Sequence, residues 1–123
     1  MQKKNLSTFL TEIDEPWKGF DIALLDGAYR VSVVHYRGDF IVHRHDKDEF
    51  FLVLEGEVDI RLRSGKIKLR KGESYWMKKG VPHQSRSPRG AYVLVVESAE
   101  ITTKEVKNDA GFSGRASSAG ERR

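Results

Sequence analysis

From about Ile22 onward the chain alternates apolar and polar residues with a period of two, and glycine interrupts the alternation at short intervals. This pattern constrains the fold most. Strict alternation sends successive side chains to opposite faces of a strand and cannot lay an apolar stripe along a helix. The alternating or apolar runs fall at 28–37, 40–45, 49–55, 58–63, 66–70, 74–77, 83–87 and 91–98. Gly38, Gly56, Gly65, Gly72, Gly80 and Gly90 lie in or near the turns between them, where positive φ is often needed. About eight short strands with little helix between them predict an all-β protein, a closed or sandwiched antiparallel barrel.

Ahead of the first run, residues 6–13 read as a short amphipathic helix: Leu6, Phe9, Leu10 and Ile13 share a face. Ser7 or Asn5 can cap it, and Pro16 ends it. The expected organisation is an N-terminal helix and arm over 1–21, one barrel over 22–101 and an extension over 102–123. From Asn108 the extension is Gly, Ser, Ala and charge with Phe112 as its one large apolar residue, so it is expected to be mostly disordered. At 123 residues the chain suffices for one core, and it shows no internal repeat. Phe50 to Leu54 and Val93 to Val96 are apolar on both faces. One face lines the interior, and the other must be covered by the N-terminal segment or by a second copy, so a homodimer is expected.

Cysteine is absent, which removes disulfides, thiolate metal sites and cysteine nucleophiles. The N-terminus lacks the apolar core of a signal peptide, and no segment is apolar for the length of a membrane span. A soluble cytoplasmic protein without a membrane partner is the expectation. The net charge of +4 is uneven: Arg61 to Arg89 hold ten basic residues and one acid, Glu73. Such a stretch could attract nucleic acid, but Arg61, Arg63, Lys66, Lys68 and Arg70 alternate with Ile60, Leu62, Ile67 and Leu69. That is how a half-buried strand places charge in solvent, and no nucleic-acid-binding signature accompanies it.

Three of the four histidines gather with a carboxylate: His43, His45 and Glu49 in one run, and His83 after Gly80 and Pro82. Imidazole and carboxylate are the ligand set of a divalent transition metal, which iron, manganese, nickel, zinc or copper could each fill. His43 and His45 leave a strand by the same face, and Phe51 and Val53 should follow Glu49 inward. An octahedral ion held by these four groups would keep two positions for water or substrate. His35 falls outside the cluster and reads as a hydrogen-bonded core or interface histidine.

Here the chain resembles the cupin superfamily. His43, His45, Glu49 and Gly56 meet the H-x-H-x3-E-x6-G spacing of the first cupin motif, with Gly38 one residue nearer than the pattern asks. Gly72, Gly80 and His83 match the second motif, where Lys78 stands for the usual proline and Ser87 for the usual asparagine. The likeness covers about Ile22 to Ile101 and is greatest to small single-domain cupins. It implies a double-stranded β-helix, or jelly roll, with one divalent metal on His43, His45, Glu49 and His83. It does not imply one reaction, since cupins include oxygenases, isomerases and binding domains. Small cupins are often grouped with mannose-6-phosphate isomerase, yet that larger enzyme uses a glutamine that this ligand set lacks.

Around the metal, Trp76 is a candidate to narrow the pocket or else ordinary core, and Lys78 or Lys79 a candidate to hold a substrate carboxylate or phosphate. The first expectation is a metal-dependent enzyme acting on a small, oxygen-rich metabolite, anionic where Lys78 or Lys79 holds it, with no catalytic residue assigned beyond the ligands. The alternative is a non-catalytic dimeric binding or sensing module with a structural metal. It is favoured if no further acid or base converges on the ion.

Overall fold

The computed structural model describes residues 3–10, 12–107 and 112. Helix α1 (Leu6–Leu10) is shorter than its pattern suggests, and Asn5 rather than Ser7 caps it, its Oδ1 accepting from the Ser7 backbone N–H at 3.0 Å. The strands are β1 (Gly19–Leu25), β2 (Tyr29–Asp39), β3 (His43–His45), β4 (Glu49–Leu62), β5 (Gly65–Arg70), β6 (Ser74–Met77), β7 (Gln84–Ser98) and β8 (Thr103–Glu105). They pair in the order β1-β2-β7-β4-β5, with β6 also on β4, and β3 with β8 forms a second ribbon. The all-β architecture implied by the pattern is observed, and the jelly roll implied by the resemblance fits it.

Two pairs of expected strands are single elements. The runs at 49–55 and 58–63 form one β4, and those at 83–87 and 91–98 form one β7. Gly56 and Gly90, expected in turns, are instead bends inside these strands, at φ 84° and 93°. A Cβ at Gly56 would meet the Gly90 carbonyl oxygen at 2.4 Å, so the two bends nest against each other. Before the bend β4 pairs with β6 and the second half of β7; beyond it, with β5 and the first half of β7. Each long strand thus serves both layers, and the core of Tyr36, Phe51, Val53, Val58, Ile60, Leu69, Met77, Val93 and Val95 fills the space between.

Strand pairing reaches beyond the expected 22–101 span at both ends. β1 starts at Gly19, and β8 lies in the stretch expected to be mostly disordered. The remainder of that expectation falls on residues outside those described, apart from 102, 106, 107 and Phe112, which is buried with the Arg61 guanidinium 5.9 Å from its ring centroid.

The outer surface divides by chemistry. Over β2, β7, β4 and β5 the charges form a ladder: Asp39 with Arg86 (2.8 Å), Asp59 with Lys68 (3.0 Å) and Glu57 with Lys68 and Arg70 (3.6 and 3.7 Å). The basic run of β5 is therefore answered by acids of its neighbour strand, as expected of a solvated strand face. The other half of the outer surface is apolar. Val33 and His35 are buried there beneath the N-terminal segment, with Tyr92 donating to the Leu10 and Ile13 carbonyls (3.3 Å each) and His35 Nδ1 3.3 Å from the Glu15 carbonyl.

Gly56→Ala should destabilise by about 2 kcal/mol, since positive φ and a backbone clash add. Gly72→Ala, with positive φ (85°) but open space, should cost about 1 kcal/mol. Urea unfolding of the two variants measures the difference, and equal midpoints would contradict the nested bends.

Candidate metal centre

Backbone geometry assembles the histidines before any side chain interacts. His43 and His83 form an antiparallel bridge, each N–H donating to the other's carbonyl at 2.9 Å. Opposed residues of such a pair project to the same face, and His45, two residues along β3, joins them. The turn at Lys79 and Gly80 is held by the Gly80 N–H donating to the His45 carbonyl at 2.8 Å. The ring centroids lie 4.3 Å (His43–His83), 4.8 Å (His43–His45) and 5.4 Å (His45–His83) apart.

Each imidazole is oriented by a carbonyl. Nδ1 lies 2.8 Å from the Ile41 oxygen in His43, 2.9 Å from the Val81 oxygen in His83 and 3.3 Å from the Thr102 oxygen in His45. A carbonyl only accepts, so Nδ1 of each ring carries a proton; Nε2 of His43 and of His83 then presents a lone pair, while Nε2 of His45 faces the Glu49 carboxyl. His83 Nε2 is buried with no hydrogen-bond partner, and His45 Nε2 has only an ion contact with Glu49 Oε1, at 3.1 Å, among the described residues. The three rings offer ligand atoms all within 4.8 Å of one another. Buried acceptors without donors are costly unless something electron-poor sits between them, so the three histidines could hold a metal ion. The backbone carbonyls supply the outer hydrogen bonds that metal-ligating histidines ordinarily require.

The protonation of these groups suits a cation. Burial holds the His43 imidazole down to about 4 and the His83 imidazole to about 3, so both are neutral near pH 7. Burial raises Glu49 to about 7, with His45 drawing it down and Glu97 pushing it up. Burial is the largest influence on His45 and opposes its charge, but the bond to and charge of Glu49, with the Thr102 carbonyl and Glu97, together outweigh it and raise the imidazole overall. The Glu49–His45 pair thus shares a proton around neutral pH.

Behind the histidines lies a cavity of about 250 Å³. Phe51 and Val53 do follow Glu49 inward, all three being buried. Trp17, Tyr36 and Phe40 form an aromatic wall, Trp17 lying 4.7 Å from Tyr36 and 4.9 Å from Phe40 between ring centroids. A second carboxylate also reaches the cavity. Glu97 on β7 pairs in register with Glu49 on β4 and with Arg30 on β2, whose guanidinium nitrogen is 2.6 Å from Glu97 Oε2. Buried Tyr36 faces the same two carboxylates, and its hydroxyl is pushed well up, by burial first and then by Glu49 and Glu97.

Sequence reasoning missed Glu97, Tyr36 and Trp17. A signal existed for the first: Glu97 keeps the inward parity of Val93 and Val95. Tyr36 likewise shares parity with cavity-lining Ser32 and Val34. Trp17 sits at φ 66° outside any periodic run and carried none. The expected substrate-binding residues lie elsewhere. Trp76 pairs in register with the outward Phe50, is 60% exposed, and its indole N–H donates to Asp48 Oδ2 at 2.8 Å. Lys78 Nζ sits 4.5 Å from the Trp76 ring centroid, and Lys79 lines a separate outer groove with Arg44 and Lys104. None of the three lines the histidine cavity. The reason is parity: β6 turns Tyr75 and Met77 toward the interior and so Trp76 away from it.

Comparison with known proteins agrees with this architecture. The family profile described as Cupin domain matches residues 30–97. Protein YdbB of Bacillus subtilis (strain 168) is 32% identical over 103 residues, covering 81% of this chain and 89% of that protein. The crystal structure of a cupin-2 domain containing protein from Shewanella frigidimarina NCIMB 400 superposes with a TM-score of 0.73 at 30% identity, covering 77% of this chain and 93% of that one. Protein NMB1881 from Neisseria meningitidis gives a TM-score of 0.70 at 26% identity, over 80% of this chain and 100% of its own.

Because His43 and His83 are already neutral near pH 7, the proton released on metal uptake should come from the Glu49–His45 pair. Affinity for Mn²⁺ or Zn²⁺ should therefore rise between about pH 6 and 8 and then level off. Calorimetric titration in buffers of different ionisation enthalpy reads the proton count, and a flat affinity over that range would contradict this protonation scheme.

Proposed function

The chain belongs to the cupin domain family, and from that premise we propose that it is a metal-dependent enzyme acting on a small oxygen-rich metabolite. The observation supporting this reading is that His43, His45 and His83 offer ligand atoms within 4.8 Å of one another, with Glu97 and Tyr36 lining the same cavity. In the proposal His43, His45 and His83 hold one divalent ion and Glu49 completes the set. Such an ion supplies Lewis acidity, or a binding position for dioxygen, at its open coordination sites. Glu97 then serves as acid or base, oriented by Arg30, and the aromatic wall excludes bulk water. A purely structural metal has no need of a second carboxylate at this place, and that favours an enzyme over a binding module.

The protein is also proposed to act as a homodimer. The register aligns outward residues in apolar rows across the sheet: Ala23, Val31, Val96, Phe50 and Trp76 in one, Phe20, Val33, Leu94 and Leu52 in the next. The N-terminal segment covers the part near His35 and Tyr92, while Phe50 stays 38% and Trp76 60% exposed. A contiguous apolar face of this kind marks an interface, and a second copy brings the complementary surface.

Elemental analysis of untagged protein beside the His43→Ala, His45→Ala double variant tests the metal. Near-stoichiometric metal, lost in the variant, is expected; an empty wild-type protein after supplementation would end the proposal. With metal present, Glu97→Gln should retain the ion yet lower turnover by about 10²–10⁴-fold in a screen of small oxyacids and oxygen uptake. Full activity in that variant would remove Glu97 from the chemistry, and metal without turnover in wild type would favour the binding module. In sedimentation, Phe50→Asp should convert a dimer to monomer with the metal content unchanged.

A further inference from the structure

A second charged site lies outside the barrel, on the far side of β3 from the cavity. Arg44 and Lys104 are directly opposed in the β3–β8 register, which places two cations side by side on one face of a two-stranded ribbon. Like charges so placed repel and destabilise a sheet. Lys79, Gly80, Asp46 and Thr102 complete a groove of about 310 Å³ around them. Its walls are fixed by backbone: the Thr102 N–H donates to Asp46 Oδ1 and the Gly80 N–H to the His45 carbonyl, each at 2.8 Å.

Several other cations of this chain are answered by acids. Arg30 has Glu97, Lys66 and Lys68 have Asp59, Lys71 has Glu55, and Arg86 has Asp39. Among the described residues no carboxylate lies within 4.0 Å of the Arg44, Lys79 or Lys104 charged groups. Asp46 is the one acid of the groove, and its carboxylate is already engaged by Thr102. Three cations against the single carboxylate of Asp46 in one concavity, two of them opposed across the ribbon, describe a receptor for an anion. We infer that the groove of Arg44, Lys79 and Lys104 binds a phosphate or phosphorylated small molecule, with Arg44 as the forked donor and the lysines as point charges.

The site also touches the metal centre from behind. The Thr102 carbonyl that borders the groove accepts from His45 Nδ1, and Thr103 Oγ1 lies 3.1 Å from the same nitrogen. An anion that neutralises the Arg44–Lys104 pair would steady the ribbon that carries His43 and His45.

Inorganic phosphate is the probe, with chloride at equal ionic strength as control, on the full chain at its native metal content. Phosphate should raise the thermal midpoint and shift the amide resonances of Arg44, Lys79, Gly80 and Lys104 saturably. Arg44→Gln should weaken phosphate binding by about tenfold, the value of one charge-assisted hydrogen bond. Because that substitution also removes the repulsion, the variant should be no less stable than wild type without phosphate. Four outcomes would overturn the inference: equal stabilisation by chloride, shifts that never saturate, phosphate shifts confined to His43 and His83, or an Arg44→Gln variant with unchanged affinity.

Discussion

The pairing of β4 with β7 is the constraint on which the remainder of this structure depends. Both strands run through the two layers, and they can do so only because each bends at a glycine and the bends nest. A side chain at Gly56 would collide with the Gly90 carbonyl, so the approach of the two backbones at that point is set by the absence of a Cβ. Once the strands turn together, their first and second halves face each other across the core. The space between the layers becomes a cavity with polar strand ends at one mouth. Glu49, at the start of β4, and Glu97, near the end of β7, meet there because the two strands are antiparallel. The register that stabilises the sheet is the same register that builds the site.

At that mouth, backbone hydrogen bonding does the work that side-chain networks do in many metal sites. Local carbonyls two residues back fix the tautomers of His43 and His83, so their orientation depends on the chain path through Ile41 and Val81. Burial keeps both rings neutral and thereby ready for a cation without a proton to displace. His45 differs. Its orienting carbonyl comes from Thr102, far along the chain, and its Nε2 faces Glu49. It is the histidine whose charge state and position respond to the rest of the molecule, and it alone borders both the cavity and the outer groove.

Charge is distributed with the same economy. The basic run from Arg61 to Arg70, conspicuous in the sequence, is largely spent on acids across the β4–β5 hairpin. Asp59 is buried on the outer face between lysines, which a linear count of charge could not reveal. The less conspicuous cations Arg44, Lys79 and Lys104, separated by long stretches of sequence, are gathered by tertiary structure in one groove, with no carboxylate of the described residues within 4.0 Å of their charged groups. Net charge along a chain therefore says little about where a folded protein carries free charge.

Although His83 lies far along the chain and reaches His43 through a tertiary bridge, the sequence by itself determined the strand class, the inward parity of Glu49, Phe51 and Val53, and the shared face of His43 and His45. Those features follow from period-two alternation and short spacings, which are local. Its glycines marked several changes of direction but not their kind: Gly56 and Gly90 were legible as breaks, whereas only their mutual contact makes them bends within continuous strands. Tertiary structure alone decided that Trp76 faces outward, that Trp17 takes the place in the cavity wall, and that Glu97 reaches Glu49. The first and last depend on register between strands remote in the chain, where a shift of one residue would turn the side chain to the opposite face, and Trp17, outside any strand, is placed by its N–H donating to the His35 carbonyl.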